Sequence, residues 1–358
     1  MKGPLTTGNA ALANRYSPKD WIGAGGMQHV YIAFDHLFER NVALKTPKDD
    51  AGEKRFQQSA VVSARVNHQN VAKTLDYFEE DERPYLVEEL VGGADLFSVM
   101  SDNLPYLPPS TCARIFHQLA KGLAASHAAD VVHRDLKPSN IMVVGGWKFE
   151  DVKITDFGIA KLAEEEIGPW AEKGGATSSK TVLGAIPYMS PEAINDFKTP
   201  KKSSDVWAIA AIVYELMSGE LPFGTGLKSI PKIVDAVPPK RPTQISGAQF
   251  KALGGQLYEI VLRCLEKDEN KRPKAHEVVT LCEELCYSPT EYSFGVISEA
   301  PGYTGRIKDD AGIKLMYHPD SFYGDRKSGV GTRLWFGRDD GDPWDRAFPI
   351  VKAIPPVK

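Results

Sequence analysis

His133-Arg134-Asp135-Leu136-Lys137-Pro138-Ser139-Asn140, followed by Asp156-Phe157-Gly158, is the stretch whose reading decides the fold. It places an acid, a lysine and an amide on one loop, with a second acid sixteen residues beyond the amide. Phosphoryl transfer requires that set: a base to orient the attacking hydroxyl, a cation to neutralise the transferring group, and two oxygen ligands for Mg²⁺. Either half alone would say little. Eight ordered residues with a correctly spaced partner rarely arise by chance.

Upstream, Ile22-Gly23-Ala24-Gly25-Gly26-Met27-Gln28-His29-Val30-Tyr31 reads as a glycine-rich turn between two strands. Backbone N–H groups there can approach phosphates because glycine has no Cβ. Gln28 stands where the third glycine of G-x-G-x-x-G would fall. Val42-Ala43-Leu44-Lys45 reads as a strand that carries a phosphate-directed lysine. Alone, the first segment would be an ordinary turn and Lys45 a solvated surface lysine. In this order, the segments resemble a eukaryotic-like serine/threonine protein kinase of the bacterial type.

The resemblance continues downstream. Gly184-Ala185-Ile186-Pro187-Tyr188-Met189-Ser190-Pro191-Glu192 is similar to the end of an activation segment. Ser204-Asp205-Val206-Trp207-Ala208 is similar to the start of the central buried helix, whose aspartate braces the catalytic loop. Lys271-Arg272-Pro273 resembles the late segment whose arginine pairs with the Pro-Glu glutamate, here Glu192. The motifs run in family order from about Trp21 to Leu285, roughly three-quarters of the chain.

The resemblance implies an α+β, bilobal protein-kinase fold: a small, mostly β N-lobe over 16–91 and a larger, mostly α C-lobe over 92–287. It also implies ATP and Mg²⁺. Asp135 would orient the substrate hydroxyl, and Lys137 and Lys45 would complete the catalytic set, with Asn140 and Asp156 on the metal. Nucleotide contacts would come from Ile22, Gly23, Gly25, Gly26, Val30, Ala43, Lys45 and Glu88. The Glu89 carbonyl and Val91 N–H would meet the adenine edge. Lys137, two residues after Asp135, favours Ser/Thr over Tyr substrates. His133 would pack within the loop. Arg134 would await a phosphate on the activation segment, first at Thr177 or Ser179 within Thr177–Thr181.

Two residues depart from the pattern. Ser59 takes the place of the regulatory-helix glutamate that normally pairs with Lys45, and no Asp or Glu occurs between Glu53 and Asp76. Ala185 replaces a hydroxyl that normally braces Asp135 and Lys137, a loss of about 1 kcal/mol. These changes motivate the alternative of an ATP-binding pseudokinase or scaffold. A small-molecule kinase is a third reading, disfavoured by the Tyr-Met-Ser-Pro-Glu and late-arginine elements. Aligning Tyr85-Leu86-Val87-Glu88-Glu89-Leu90 on the hinge strand puts Glu88 at the gatekeeper position. Strand alternation then turns Glu88 toward Lys45, and a buried carboxylate needs such a partner; a protonated or outward-turned Glu88 is the alternative reading.

Composition sets limits. At 358 residues the chain suffices for a two-lobed core plus an extension. With 42% hydrophobic and 25% charged residues it is ordinary for a globular protein. A formal charge of −4 gives no electrostatic reason to expect nucleic acid. No apolar run approaches the roughly 20 residues of a membrane span, and no signal peptide is expected. The four cysteines form no Cys-x-x-Cys pair; Cys282 and Cys286 are expected as buried thiols, and a reducing cytoplasm is the simplest home. Residues 288–358 lie outside the resemblance. Their aromatic content argues for partial order, with short strands at 313–317 and 332–336. The expected partner is a protein substrate, with a homodimer through the N-lobe or a contact through the extension as further options.

Overall fold

The computed structural model describes Leu5 and residues 11–25, 28–48, 53–157, 180–196, 199, 201–287, 290–300 and 302–354. Gly26, Gly158 and the expected phosphorylation sites Thr177 and Ser179 lie outside the described residues.

The N-lobe is an antiparallel sheet in the order β1-β2-β3-β5-β4. Its strands are β1 (Tyr16–Gly25), β2 (Gln28–Asp35), β3 (Arg40–Pro47), β4 (Thr74–Glu80) and β5 (Arg83–Glu89). β3 is the central strand and is buried continuously over Val42–Pro47, as a strand covered on both faces must be. One face packs Tyr16, Tyr31, Val42, Leu44, Tyr85 and Val87. The other carries Leu86 against Phe56 and Ala60 of α1 (Glu53–Ser63).

The C-lobe is helical. The helix Lys202–Ser218 is apolar all round and almost wholly buried, which is the pattern of a core helix rather than a surface one. The long helix Pro109–Ala128 packs beside it and opens on a proline at its first position, where the missing N–H costs nothing. A three-stranded sheet of β6 (Ala94–Asp95), β7 (Ile141–Val144) and β8 (Asp151–Ile154) forms the floor beneath the N-lobe. β7 leaves directly after Asn140 and β8 returns antiparallel, with Ile141 opposite Ile154. The hairpin therefore brings Asp156 back beside Asn140, and the Thr155 N–H donates to the Asn140 carbonyl at 2.9 Å.

The C-terminal region is more ordered than the sequence suggests. Five strands, not two, form a closed barrel in the order β10-β11-β13-β12-β9. They are β9 (Tyr292–Glu299), β10 (Gly305–Asp309), β11 (Lys314–Tyr317), β12 (Arg333–Asp339) and β13 (Arg346–Lys352). The glycines and aromatics that look like linker and patch in the sequence belong together in space. A Cβ on Gly305 would lie 2.4 Å from the Tyr317 ring, so the ring crosses the wall only where the side chain is absent.

The barrel and C-lobe share one apolar core, to which the barrel contributes Tyr292, Tyr323, Trp335 and Val351. Trp335 is fully buried, stacked at 3.8 Å on Tyr292 and edge-on to Phe149. Its indole N–H donates to the Trp147 carbonyl at 3.0 Å. The Tyr323 hydroxyl donates to the Met217 carbonyl at 2.6 Å, and Tyr292 meets the Thr111 hydroxyl at 2.6 Å. Gly324, at φ +85°, admits the Tyr106 ring where a Cβ would collide. Among the described residues no helix is long and apolar enough to cross a membrane. Cys282 is buried as expected, whereas Cys286 is exposed, because it lies beyond the helix that buries its neighbour.

Trp335→Ala should destabilise the protein by about 3–5 kcal/mol, the usual cost of emptying a large aromatic site. Truncation after Tyr287 should lower the melting temperature of the kinase lobes themselves. Urea and thermal unfolding of the full chain and the truncated protein check both outcomes.

Candidate active site

The loop that carries Asp135 is fixed from below by one buried carboxylate. Asp205, at the start of the Lys202–Ser218 helix, accepts the His133 N–H at 2.9 Å and the Arg134 N–H at 3.1 Å. It also meets His127 Nε2 at 2.9 Å. Holding the two successive amides bends the loop so sharply that Arg134 adopts φ +74°, a conformation that persists only when its surroundings over-determine it. His133 is fully buried, with Nε2 on the Thr155 carbonyl at 2.7 Å and its ring against Phe157. Arg134 is only half-buried.

On this platform the candidate base is held from two sides. Lys137 Nζ lies 2.7 Å from Asp135 Oδ2, and Asn140 Nδ2 donates to the Asp135 carbonyl at 2.7 Å and to its Oδ2 at 3.1 Å. Ala185 lines the same small hollow as Arg134, Asp135 and Leu136 and brings no hydroxyl to it. Lys137 and Asn140 hold the carboxylate without that brace. With its amide nitrogen spent on Asp135, Asn140 keeps Oδ1 free of hydrogen bonds among the described residues. Asp156, at φ +62°, likewise keeps Oδ2 free. These two oxygens suit a hard cation such as Mg²⁺, which prefers a few carboxylate or amide oxygens and retains water.

The N-lobe closes onto this floor through Lys45. Val30 lies opposite Lys45 across β2 and β3, and Ala43 lies opposite Glu88 across β3 and β5. Directly paired residues share a face, so Val30, Ala43, Lys45 and Glu88 all point toward the C-lobe. Lys45 Nζ lies 2.6 Å from Asp156 Oδ1 and in direct contact with the Glu88 carboxylate. Burial alone would depress the lysine, but Asp156 and Glu88 hold its pKa above the ordinary value. Burial would raise Asp156, yet Lys45 keeps it below its ordinary value. Glu88 is shifted up, because burial outweighs the pull of Lys45.

Not every candidate converges. Gly23 and Gly25 lie on the β1 arm of the turn, with Gly23 opposite Val30, whereas Ile22 is half-exposed there. The Glu89 side chain is drawn away to Lys153 at 2.6 Å, and Val91 follows the end of β5. Two contacts were not legible in the sequence. Gln28 is buried and donates from Nε2 to Asp156 Oδ1 at 3.2 Å, and Ser59 Oγ donates to the Phe157 carbonyl at 2.8 Å. Their only sequence signal is that each replaces a residue of another type in the motif.

A protein kinase domain model matches residues 16–281. The chain belongs to the protein kinase family. It is 32% identical over 282 residues to the serine/threonine-protein kinase pkn2 of Myxococcus xanthus, covering 76% of this chain and 33% of that protein. It is 33% identical over 276 residues to pkn3 of the same organism, covering 74% of this chain and 49% of pkn3. Against PrkC of Bacillus subtilis the identity is 33% over 217 residues, covering 59% of this chain and 32% of PrkC. The chain thus spans about a third to a half of the length of these curated relatives.

The kinase fold explains a further buried pair. Arg272 reaches Glu192 with Nη2 to Oε2 at 2.8 Å, and the Ser204 hydroxyl donates to the same carboxylate at 2.9 Å. Burial would raise Glu192, but Arg272 keeps its carboxyl below the ordinary range. The pair ties the end of the activation segment to the late C-lobe.

Asp205→Ala should remove the acceptor for two loop amides and cost about 1–3 kcal/mol for each one left unpaired. Denaturant unfolding should show the loss, and hydrogen exchange should speed up at His133 and Arg134.

Proposed function

We propose that this protein transfers the γ-phosphoryl group of ATP to serine and threonine hydroxyls of protein substrates. One observation carries the reading. A buried lysine of the N-lobe reaches the Asp156 carboxylate across the cleft, while Lys137 and Asn140 both converge on Asp135. The kinase family and its curated Ser/Thr relatives support it. The case for a pseudokinase rests on Ser59 and Ala185; against the first stands a Lys45 with two acidic partners, and against the second an Asp135 held by Lys137 and Asn140.

In this mechanism Asp135 orients the substrate hydroxyl and receives its proton. Lys137, beside it, offsets charge on the transferring group. Lys45 would hold the nucleotide phosphates, and Asn140 and Asp156 would hold Mg²⁺, which would supply positive charge to the transferring group. The glycine-rich stretch from Ile22 to Val30, with Gly23, Gly25 and Gly26, would supply backbone N–H groups to the phosphates. Ala43, Glu88, the Glu89 carbonyl and the Val91 N–H line the base end. Substrate identity, autophosphorylation and a cytoplasmic location belong to the same proposal.

Asp135→Asn should lower kcat by about 10²–10⁴-fold, the usual contribution of a positioned base, with nucleotide affinity nearly unchanged. Asp156→Ala should abolish Mg²⁺-dependent transfer. Radiolabelled ATP with a generic protein substrate, followed by phosphoamino-acid analysis, checks both; near-normal turnover of Asp135→Asn would overturn the role given to that residue.

Mass spectrometry of the active protein should find phosphate within Thr177–Thr181, a group chemically suited to pairing with an arginine such as Arg134. An unmodified window in active protein would count against autophosphorylation as the activating step.

A further inference from the structure

We propose that Glu88 has taken over from α1 the task of holding Lys45, so that the lysine's orientation is built into the sheet and does not depend on the position of α1. The proposal rests on the kinase reading of Lys45 and deepens it.

Three observations lead to it. First, α1 has no acid to offer beyond Glu53 at its first residue. Ser59 spends its hydroxyl on the Phe157 carbonyl, and Phe56 and Ala60 on the buried face meet Leu86 through apolar contact alone. Second, Glu88 lies on β5, between β3 and β4, opposite Ala43 on one side and Thr74 on the other. A residue bonded into a sheet on both sides cannot swing as one on a single packed helix can. The residue is 5% exposed, and its carboxylate has Lys45 as its one ion-pair partner among the described residues.

Third, Lys45 is shared between two acids with different duties. Asp156 is also the candidate metal ligand, and Gln28 already competes for its Oδ1. When Asp156 is engaged elsewhere, Glu88 is the partner that remains. An ammonium this deeply buried needs one, because an uncompensated buried charge is strongly unfavourable. The family pattern normally places the acid on a movable helix and an apolar residue on β5. This chain has Ser59 on the helix and the acid, Glu88, on β5. Glu88 is a positioning residue: it acts on the phosphates only through Lys45.

The test has two arms. In the nucleotide-free protein, Lys45→Met, Glu88→Met and the double variant form a thermal-unfolding cycle. The double variant should lose clearly less than the sum of the single losses, because removing both partners leaves fewer orphaned charges. In kinase assays, Glu88→Met should cut kcat by about tenfold or more, with ATP affinity changed within about threefold. Glu88→Gln serves as the milder variant should Met disturb folding. Gln58→Gly, on the exposed side of α1, loosens the helix and should leave kcat within about twofold. An additive cycle, an undiminished kcat in both Glu88 variants, or a Gln58→Gly loss as large as that of Glu88→Met would each overturn the proposal. If wild-type protein transfers no phosphate while the cycle is non-additive, the kinase reading fails and the Glu88–Lys45 pair stands.

Discussion

The Lys45 ammonium, buried between Glu88 and Asp156, is the constraint on which the cleft depends. It joins β3, β5 and the segment after β8, so both lobes contribute to one charge cluster. A lone lysine at this depth would lose its proton or turn outward. The two acids prevent both, and their combined negative charge is eased by the Gln28 amide on Asp156. Such a cluster is weak evidence for stability, since desolvation consumes most of the attraction. Its contribution is geometric: an amine held at a fixed place on the cleft wall.

The opposite wall is fixed by a different device. The Asp205 carboxylate, through bonds to two loop amides, and the β7–β8 ladder place Asp135, Asn140 and Asp156. The positive φ of Arg134 is tolerated because its amide and that of His133 are bonded to the buried Asp205 carboxylate. The C-terminal barrel adds mass behind this wall. Trp335 fills a position in the C-lobe core, so the barrel is joined to the kinase by the same close packing that holds a single domain together. A docked module would show a polar, wetter interface.

Much of the site was legible in the sequence because phosphoryl transfer demands particular residue types at fixed separations along one loop. Asp135, Lys137, Asn140 and Asp156 are separated by a loop and one hairpin, and local chain geometry is enough to bring them together. Lys45 and Glu88 lie on neighbouring strands, and period-two alternation placed both on one face. The start of the Lys202–Ser218 helix followed from the resemblance of Ser204–Ala208 to the family's central buried helix.

What the sequence could not decide were matters of contact between distant segments. Two strands of the barrel were readable, but its closure depends on glycines that leave room for rings from other strands, as Gly305 does for Tyr317. That pairing has no signature along the chain. Gln28 and Ser59 looked like losses from a motif, and only the folded structure shows what each side chain does instead. The sequence alone determined which groups are available for chemistry, because reaction type selects residue type. Tertiary structure decided that Asp156 shares Lys45 with Glu88 and where residues 290–354 pack, because both depend on distances between segments that no local pattern encodes.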